Sequence, residues 1–267
     1  MSDPIALCLA GRLSPEVAIA RAVLAGASTE VLQARVRAAH GLEAAALRRL
    51  LDSELVALRA SAAAYGAHEA RSLHAIREAY DRAAQCSPEA AVAAYSLGRA
   101  DLLAQATNEV VTWLRMKTQT AGARVLDLGC GIGRIVNALT EAGSVTGADV
   151  SFAMLREARM RVGTHIGLVQ TGTPLPFRGA AFDLALAVDS FPYVVLAGEA
   201  ENTMAEIVRV LDSRGRIAIL NLSYRGLEAD RADLARWGEQ HALTVRVDAA
   251  RPFAMWDAAA FILERAG

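Results

Sequence analysis

Lysine is nearly missing from this chain: of its 28 basic residues, Lys117 alone is a lysine. A phosphate-binding loop of the G-x-x-x-x-G-K-[ST] kind is therefore absent, and Schiff-base chemistry would rest on one residue in a polar connector. Net charge is also scarce, -1 at pH 7, so the chain offers no general electrostatic hold on nucleic acid or anionic lipid. The three cysteines, Cys8, Cys86 and Cys130, are an odd, scattered set without metal-ligand spacing, which points to a reducing compartment. Long apolar runs are lacking too. Residues 5–10 are apolar but have no basic residues before them, stop at Arg12 and are too short for a signal core or a membrane span, so a cytoplasmic location is expected. No internal repeat or low-complexity run suggests a solenoid or a disordered tail.

What is present is apolar residue, 54% of 267 positions, enough for an α/β domain of roughly 150 residues and a smaller unit. Residues 1–117 are rich in alanine and helical in pattern. Ser14-Pro15-Glu16 and Ser87-Pro88-Glu89 each combine an N-cap, a proline at the first helical position and an acid in the first turn, and Ser28-Thr29-Glu30 opens another helix. Residues 42–64 carry Leu47, Leu50, Leu51, Leu55 and Leu58 at three- and four-residue intervals, an amphipathic helix that Gly66 ends. Further helices are expected over 67–84 and from Glu89 towards Trp113. After the polar connector 117–122, short apolar strands alternate with helices: 124–128, 145–149, 167–169, 182–189, 216–220, 243–247 and 261–264, with 199–211 the clearest helix and 212–215 a turn. The last two strands are joined by a short connection containing Pro252, which suits an antiparallel pair at a sheet edge. The expected fold is thus α/β, a doubly wound seven-stranded sheet with an antiparallel last strand over 118–267, preceded by an all-α unit over 1–117.

The run Val125-Leu126-Asp127-Leu128-Gly129-Cys130-Gly131-Ile132-Gly133 is an apolar strand entering three glycines at alternate positions, where the backbone can turn tightly against a ligand. Asp149 ends a second strand about 20 residues after the first glycine, the spacing at which a carboxylate grips a ribose in a doubly wound sheet. A dinucleotide loop wants G-x-G-x-x-G, and its last position here is Arg134. Asp127, two residues ahead of the glycines, would repel a pyrophosphate but favour a ligand with an amino group and a sulfonium.

On these motifs, with Asp149-Val150-Ser151 followed by Met154-Leu155 and Ala158-Arg159, residues 124–160 resemble the class I S-adenosylmethionine-dependent methyltransferases. The resemblance implies S-adenosyl-L-methionine as cofactor. Asp149 would accept both ribose hydroxyls, the backbone of Gly129 and Gly131 would lie along the methionine part, and Asp127 would support its ammonium group. For Asp127 a cap on the following helix is the alternative. Val150 and Met154 would pack on adenine, with plain core as the other reading of Met154. In 169–177 the Leu-Pro-Phe of the family is kept, but Thr171 stands where an acid often meets the adenine amino group. Thr171 and the backbone of Gly172 and Thr173 are left to supply hydrogen bonds, and weaker adenine discrimination is expected.

Asp189-Ser190-Phe191-Pro192-Tyr193 is one residue out of register with the D-P-P-Y of enzymes that methylate nucleic-acid amines, so nucleic acid is not expected as a partner. Asp189 is read as lining the methionine end and Tyr193 the acceptor side. Asp189 and Asn221 supply two oxygens of a possible metal set, but Leu220 sits where a second acid belongs, so the reaction is expected to be metal-independent. Val92, Tyr95, Arg99, Leu102, Ala106 and Val110 share one helical stripe, which Arg99 interrupts. Either Arg99 meets the cofactor carboxylate beside a covering Tyr95, or Gly98 breaks the helix and Arg99 is solvated in a turn. Tyr224 and Trp256 belong to clusters that line small-molecule pockets or form core edges. His68 and His74 are candidate bases or plain structural histidines, and no catalytic base is assigned. The expected activity is methyl transfer to oxygen or nitrogen of a small molecule, with residues 1–117 as a lid or, through homodimer contacts, an oligomerisation surface. No membrane partner is expected. Cofactor binding without catalysis, and methylation of a protein or peptide, are the alternatives.

Overall fold

The computed structural model describes residues 3–51, 55–65 and 71–265. The chain folds as two compact units, one built from 1–66, 82–109 and 253–257 and the other from 67–81, 110–252 and 258–267. The units do not divide at residue 117: residues 71–81 and 110–117 pack with the sheet, and a five-residue piece of the C-terminal region packs with the helices.

The helical unit holds α1 (Pro4–Leu9), α2 (Pro15–Leu24), α3 (Thr29–Arg37), α4 (Leu42–Leu51) and α5 (Val56–Tyr65). The serine N-cap signals act as expected. Ser14 Oγ accepts from Val17 N at 3.3 Å, and Ser28 Oγ does the same for Val31 N. The leucine stripe Leu47, Leu50, Leu51, Leu55, Leu58 is buried throughout, although it lies on two helices instead of one. Gly66, expected to end it, falls outside the described residues.

The helix expected from Glu89 towards Trp113 is also broken. After α6 (Leu73–Cys86), whose residues fall in both units, α7 (Pro88–Val92) stops at Ala93, a 3-10 turn spans Ala94–Ser96, and α8 (Ala100–Lys117) begins afresh. Leu97 and Gly98 both adopt left-handed backbone, with φ of 56° and 74°. A β-carbon on Gly98 would stand 2.6 Å from Ala57 Cβ of α5, so only glycine allows this close approach. Ser96 Oγ fixes the turn by donating to Glu89 O and accepting from Gly98 N.

In the sheet unit, β1 (Arg124–Leu128), β2 (Ser144–Asp149), β3 (Gly167–Gln170), β4 (Phe182–Val188), β5 (Leu211–Leu220), β6 (Leu243–Ala250) and β7 (Ala260–Arg265) form one seven-stranded sheet in the order β3-β2-β1-β4-β5-β7-β6. The first five run parallel, and β7 lies antiparallel between β5 and β6. The turn expected at 212–215 is an irregularity inside β5: register passes from Phe182↔Leu211 to Leu184↔Arg216, so five residues of β5 span two of β4. Leu126, Leu128, Ile217, Ile219, Phe261 and Leu263 are buried in one core with Met204 and Ile207 of α12 (Ala200–Val210) and Trp237 of α13 (Leu227–His241). Strand order reverses between β1 and β4, and in an open α/β sheet the crevice beyond such a reversal, at the C-terminal strand ends, is where ligands bind.

Candidate functional site

The three glycines after β1 all take left-handed backbone, with φ of 75°, 52° and 78° at Gly129, Gly131 and Gly133, and they lead into the short helix α9 (Arg134–Ala138). Gly129 must lack a side chain for a second reason: a β-carbon there would lie 2.2 Å from Ser190 Cβ. Ser190 Oγ in turn donates to Leu128 O at 2.5 Å, which joins the end of β1 to the loop after β4.

The amides of this turn are committed inside the protein. Gly129 N and Cys130 N both donate to Ala148 O, Gly133 N donates to Cys130 O, and Gly131 N donates to Asp149 Oδ2 at 2.8 Å. Asp149 Oδ1 accepts from Ser151 N at 2.8 Å. The Asp149 side chain therefore clamps the glycine turn to the start of α10 (Phe152–Arg161), while each of its oxygens keeps a further lone pair. Burial pushes its carboxyl up to about 6 against the pull of the Ser151 and Gly131 amides, and the Asp81 carboxylate adds to the rise.

Asp127 is 2% exposed, and no described residue donates a hydrogen bond to it. Burial pushes its carboxyl up to about 7, with Arg134 opposing and Asp149 reinforcing the shift. It does not cap the following helix, because Gly133 occupies the N-cap of α9. A buried acid with no donor among the described residues fits a ligand that brings a cationic N–H, since Arg134 offsets only part of the cost of burying the ionised form.

On the far side of Asp149, Val150 is half-buried, and a β-carbon on Gly172 would lie 3.7 Å from its Cγ1 and 3.2 Å from Leu73 Cδ1 of α6. Met154 is 1% exposed, within the interior of the unit. Thr171 Oγ1 donates to the Gly172 and Pro174 carbonyls, so its hydroxyl hydrogen is engaged by its own loop while its lone pairs can still accept. At the ends of β4 and β5, Asn221 Nδ2 donates to Asp189 Oδ1 at 2.7 Å, and Tyr224 Oη donates to Tyr193 Oη at 3.0 Å in α11 (Phe191–Leu196).

A methyltransferase-domain family model matches residues 126–219. Residues 126–219, within the sheet unit, are thus similar to methyltransferase domains. Malonyl-[acyl-carrier protein] O-methyltransferase of Salmonella typhimurium is 36% identical over 41% of this chain and 43% of its own length. Demethylmenaquinone methyltransferase of Tropheryma whipplei is 32% identical over 41% and 46%. The chain spans less than half the length of these curated relatives. The crystal structure of magnesium protoporphyrin IX methyltransferase from Synechocystis PCC 6803 with bound SAM aligns over 61% of this chain and 79% of its own, at 20% identity and a TM-score of 0.46.

Three expected site residues lie in the helical unit, where their own surroundings account for them. Tyr95 stacks on Trp256 at 5.5 Å, and Trp256 stacks on Phe253 at 5.6 Å, with both aromatic partners of that stack buried. Arg99 lies at the turn after Gly98, where its side chain is 40% exposed and pairs with Asp101 at 2.6 Å. The stripe that was to carry Tyr95 and Arg99 on one helix does not exist, for the glycine approach described above removes its continuity. His74 is exposed and 3.2 Å from Glu78, and His68 lies outside the described residues. Among the described residues no group of three or more His, Cys, Asp or Glu could hold a metal ion, and no helix is long and apolar enough to cross a membrane.

Two residues of the site were missed from the sequence. Asp81 of α6 accepts from Ser151 Oγ at 2.6 Å and from Ala153 N at 3.0 Å, which anchors the start of α10 beside Asp149. Tyr80, its neighbour, packs edge-on against Tyr193. Both act across long stretches of chain, and nothing in the local pattern of α6 marks them.

Proposed function

We propose that the chain transfers a methyl group from S-adenosyl-L-methionine to an oxygen or nitrogen of a small-molecule acceptor, without a metal. The observation that carries this is the pair of buried acids flanking the glycine turn, Asp127 with no donor among the described residues and Asp149 with lone pairs to spare. A dinucleotide is disfavoured twice. The turn's amides at 129, 130, 131 and 133 already have acceptors, so they form no cradle for a phosphate, and the carboxylates would repel one.

The residues present fit the cofactor. Asp149 would accept the ribose hydroxyls, Asp127 the methionine ammonium, and Val150 with Gly172 would border the adenine beside the accepting lone pairs of Thr171. Asp189, held by Asn221, would face the methionine end. Bound there, the cofactor supplies a methyl carbon that its sulfonium makes electrophilic. What the protein adds is position and exclusion of water, a proximity effect of up to about 7–11 kcal/mol. Acceptor choice is assigned to the loops after β4 and β5, with Tyr193 and Tyr224. The small-molecule class is supported by the name of the demethylmenaquinone relative, and the oxygen target by that of the O-methyltransferase relative.

The test is incubation of the protein with S-adenosylmethionine and fractionated metabolites, with S-adenosylhomocysteine as the readout. Formation dependent on one fraction, with a methylated product of matching mass, supports the reading. Cofactor binding without product from any fraction would leave a non-catalytic binding protein instead.

A further inference from the structure

Three tyrosine rings meet within the sheet unit close to the ends of β4 and β5. Tyr80 stands edge-on to Tyr193, with centroids 5.3 Å apart and planes at 90°, and Tyr193 meets Tyr224 at 6.0 Å and 79°. The Tyr224–Tyr193 hydroxyl contact fixes the outer residue, Tyr224, which is 49% exposed to solvent. Edge-to-face packing holds each ring in one orientation, and an ordered tyrosine that keeps half its surface exposed offers a rigid, largely apolar contact area at small entropic cost.

The backbone under these rings is held in an unusual state. Asp189 and Asn221, the residues that follow β4 and β5, both adopt left-handed backbone with φ of 59° and 68°. Their mutual side-chain hydrogen bond and the bonds from Asp189 N to Leu220 O and Asn221 N to Ala259 O keep them there. Such conformations persist where the surroundings over-determine them, and they cluster at ligand sites. Ser190, next to Asp189, joins this loop to the end of β1, so the tyrosines are fixed relative to the glycine turn. Charge narrows the ligand. Arg225, the cation of residues 221–226, is paired with the buried carboxylate of Asp233 in α13 and reaches Ser223, so it is already engaged and favours an uncharged acceptor over an anionic one.

We propose that Tyr80, Tyr193 and Tyr224 form a platform for a flat, uncharged aromatic acceptor bearing a hydroxyl or amino group. This rests on the methyltransferase reading above and assigns the acceptor class of that same site. Tyr224 supplies the contact face, Tyr193 orients it, and Tyr80 braces Tyr193 from α6.

The experiment uses the full chain saturated with S-adenosylhomocysteine and titrated calorimetrically with 2-naphthol or with its saturated counterpart, 2-decalol. The flat ring is expected to bind about tenfold more tightly than the puckered one, and Tyr224→Ala to lose about that factor for naphthol. Tyr224→Phe, which keeps the ring, is expected to lose only a few-fold. S-adenosylhomocysteine affinity, which reports an intact fold, stays within about twofold in both variants. Equal affinity for the two alcohols, no binding of either, or an unchanged naphthol affinity in Tyr224→Ala would overturn the platform alone. Failure of the folded wild-type protein to bind S-adenosylhomocysteine would overturn the methyltransferase reading and the platform with it.

Discussion

In the helical unit, Arg48 donates to the carbonyls of Val36 and Ala39, Arg59 to Ala27 O and Thr29 Oγ1, and Glu109 accepts from the amides of Ala254 and Met255. These polar groups close the ends of helices or fix a loop. The strand ends of the sheet unit differ: Asp127 is buried with no donor among the described residues, Asp149 and Asp127 are pushed towards neutrality, and two consecutive strands are followed by left-handed residues. The lesson is that one unit spends its polar groups on its own backbone, whereas the other buries two acids whose ionised forms burial disfavours. Natural folds tolerate such local defects mainly at functional sites.

The largest effect should come from breaking the helical unit. Trp256→Ala removes the middle ring of the Tyr95–Trp256–Phe253 stack and is expected to destabilise the protein by about 3–5 kcal/mol, with cofactor affinity of the folded fraction unchanged. Chemical denaturation and calorimetric titration check the two halves. Asp149→Ala inverts that pattern. It should weaken S-adenosylmethionine about a hundredfold or more, because both the ribose contact and the clamp on Gly131 go.

Asp127→Asn sharpens the contrast through pH. An aspartate titrates near 3.9 when unfolded, and in the folded protein Asp127 and Asp149 are pushed up to about 7 and about 6. The native state then binds more protons than the unfolded state, so the contribution of these two groups to stability falls as pH rises from about 4 to about 7. Replacing Asp127 by Asn should flatten that fall and weaken the cofactor about tenfold, as seen by denaturation across pH and by titration. Asp81→Asn should cost about 1 kcal/mol, or roughly 2–4 °C in Tm, through the start of α10, and should lower the titration of Asp149, since the Asp81 carboxylate is one cause of its rise. The smallest effect is expected for Arg99→Ala, within about 0.5 kcal/mol and without change in cofactor affinity, because Arg99 and Asp101 form an exposed pair.

The parts of the molecule legible in the sequence are those set by local rules. Ser14 and Ser28 announce helix starts through their own hydroxyls, the apolar runs at 124–128 and 182–188 can only be buried strands, and three glycines after β1 mark a turn. Asp149 was recognisable from spacing alone, but not its bonds to Gly131 and Ser151. What escaped depends on contacts between distant residues. The helix from Glu89 breaks because Gly98 must approach Ala57, the tail of the chain contributes Trp256 to the helical unit, and Tyr80 and Asp81 reach the site from α6. The sequence left open whether Tyr95 and Arg99 share one helical face or Gly98 breaks it, because periodicity carries no information about such approaches.

The most direct test of the buried acids is calorimetric titration of the wild-type protein with S-adenosylmethionine at pH 6.5 in two buffers of different ionisation enthalpy. A cationic ligand favours the ionised carboxylates, so binding should release on the order of one proton per site at this pH and almost none at pH 8.5. No binding to the folded protein, or binding with proton uptake at pH 6.5, would contradict the account.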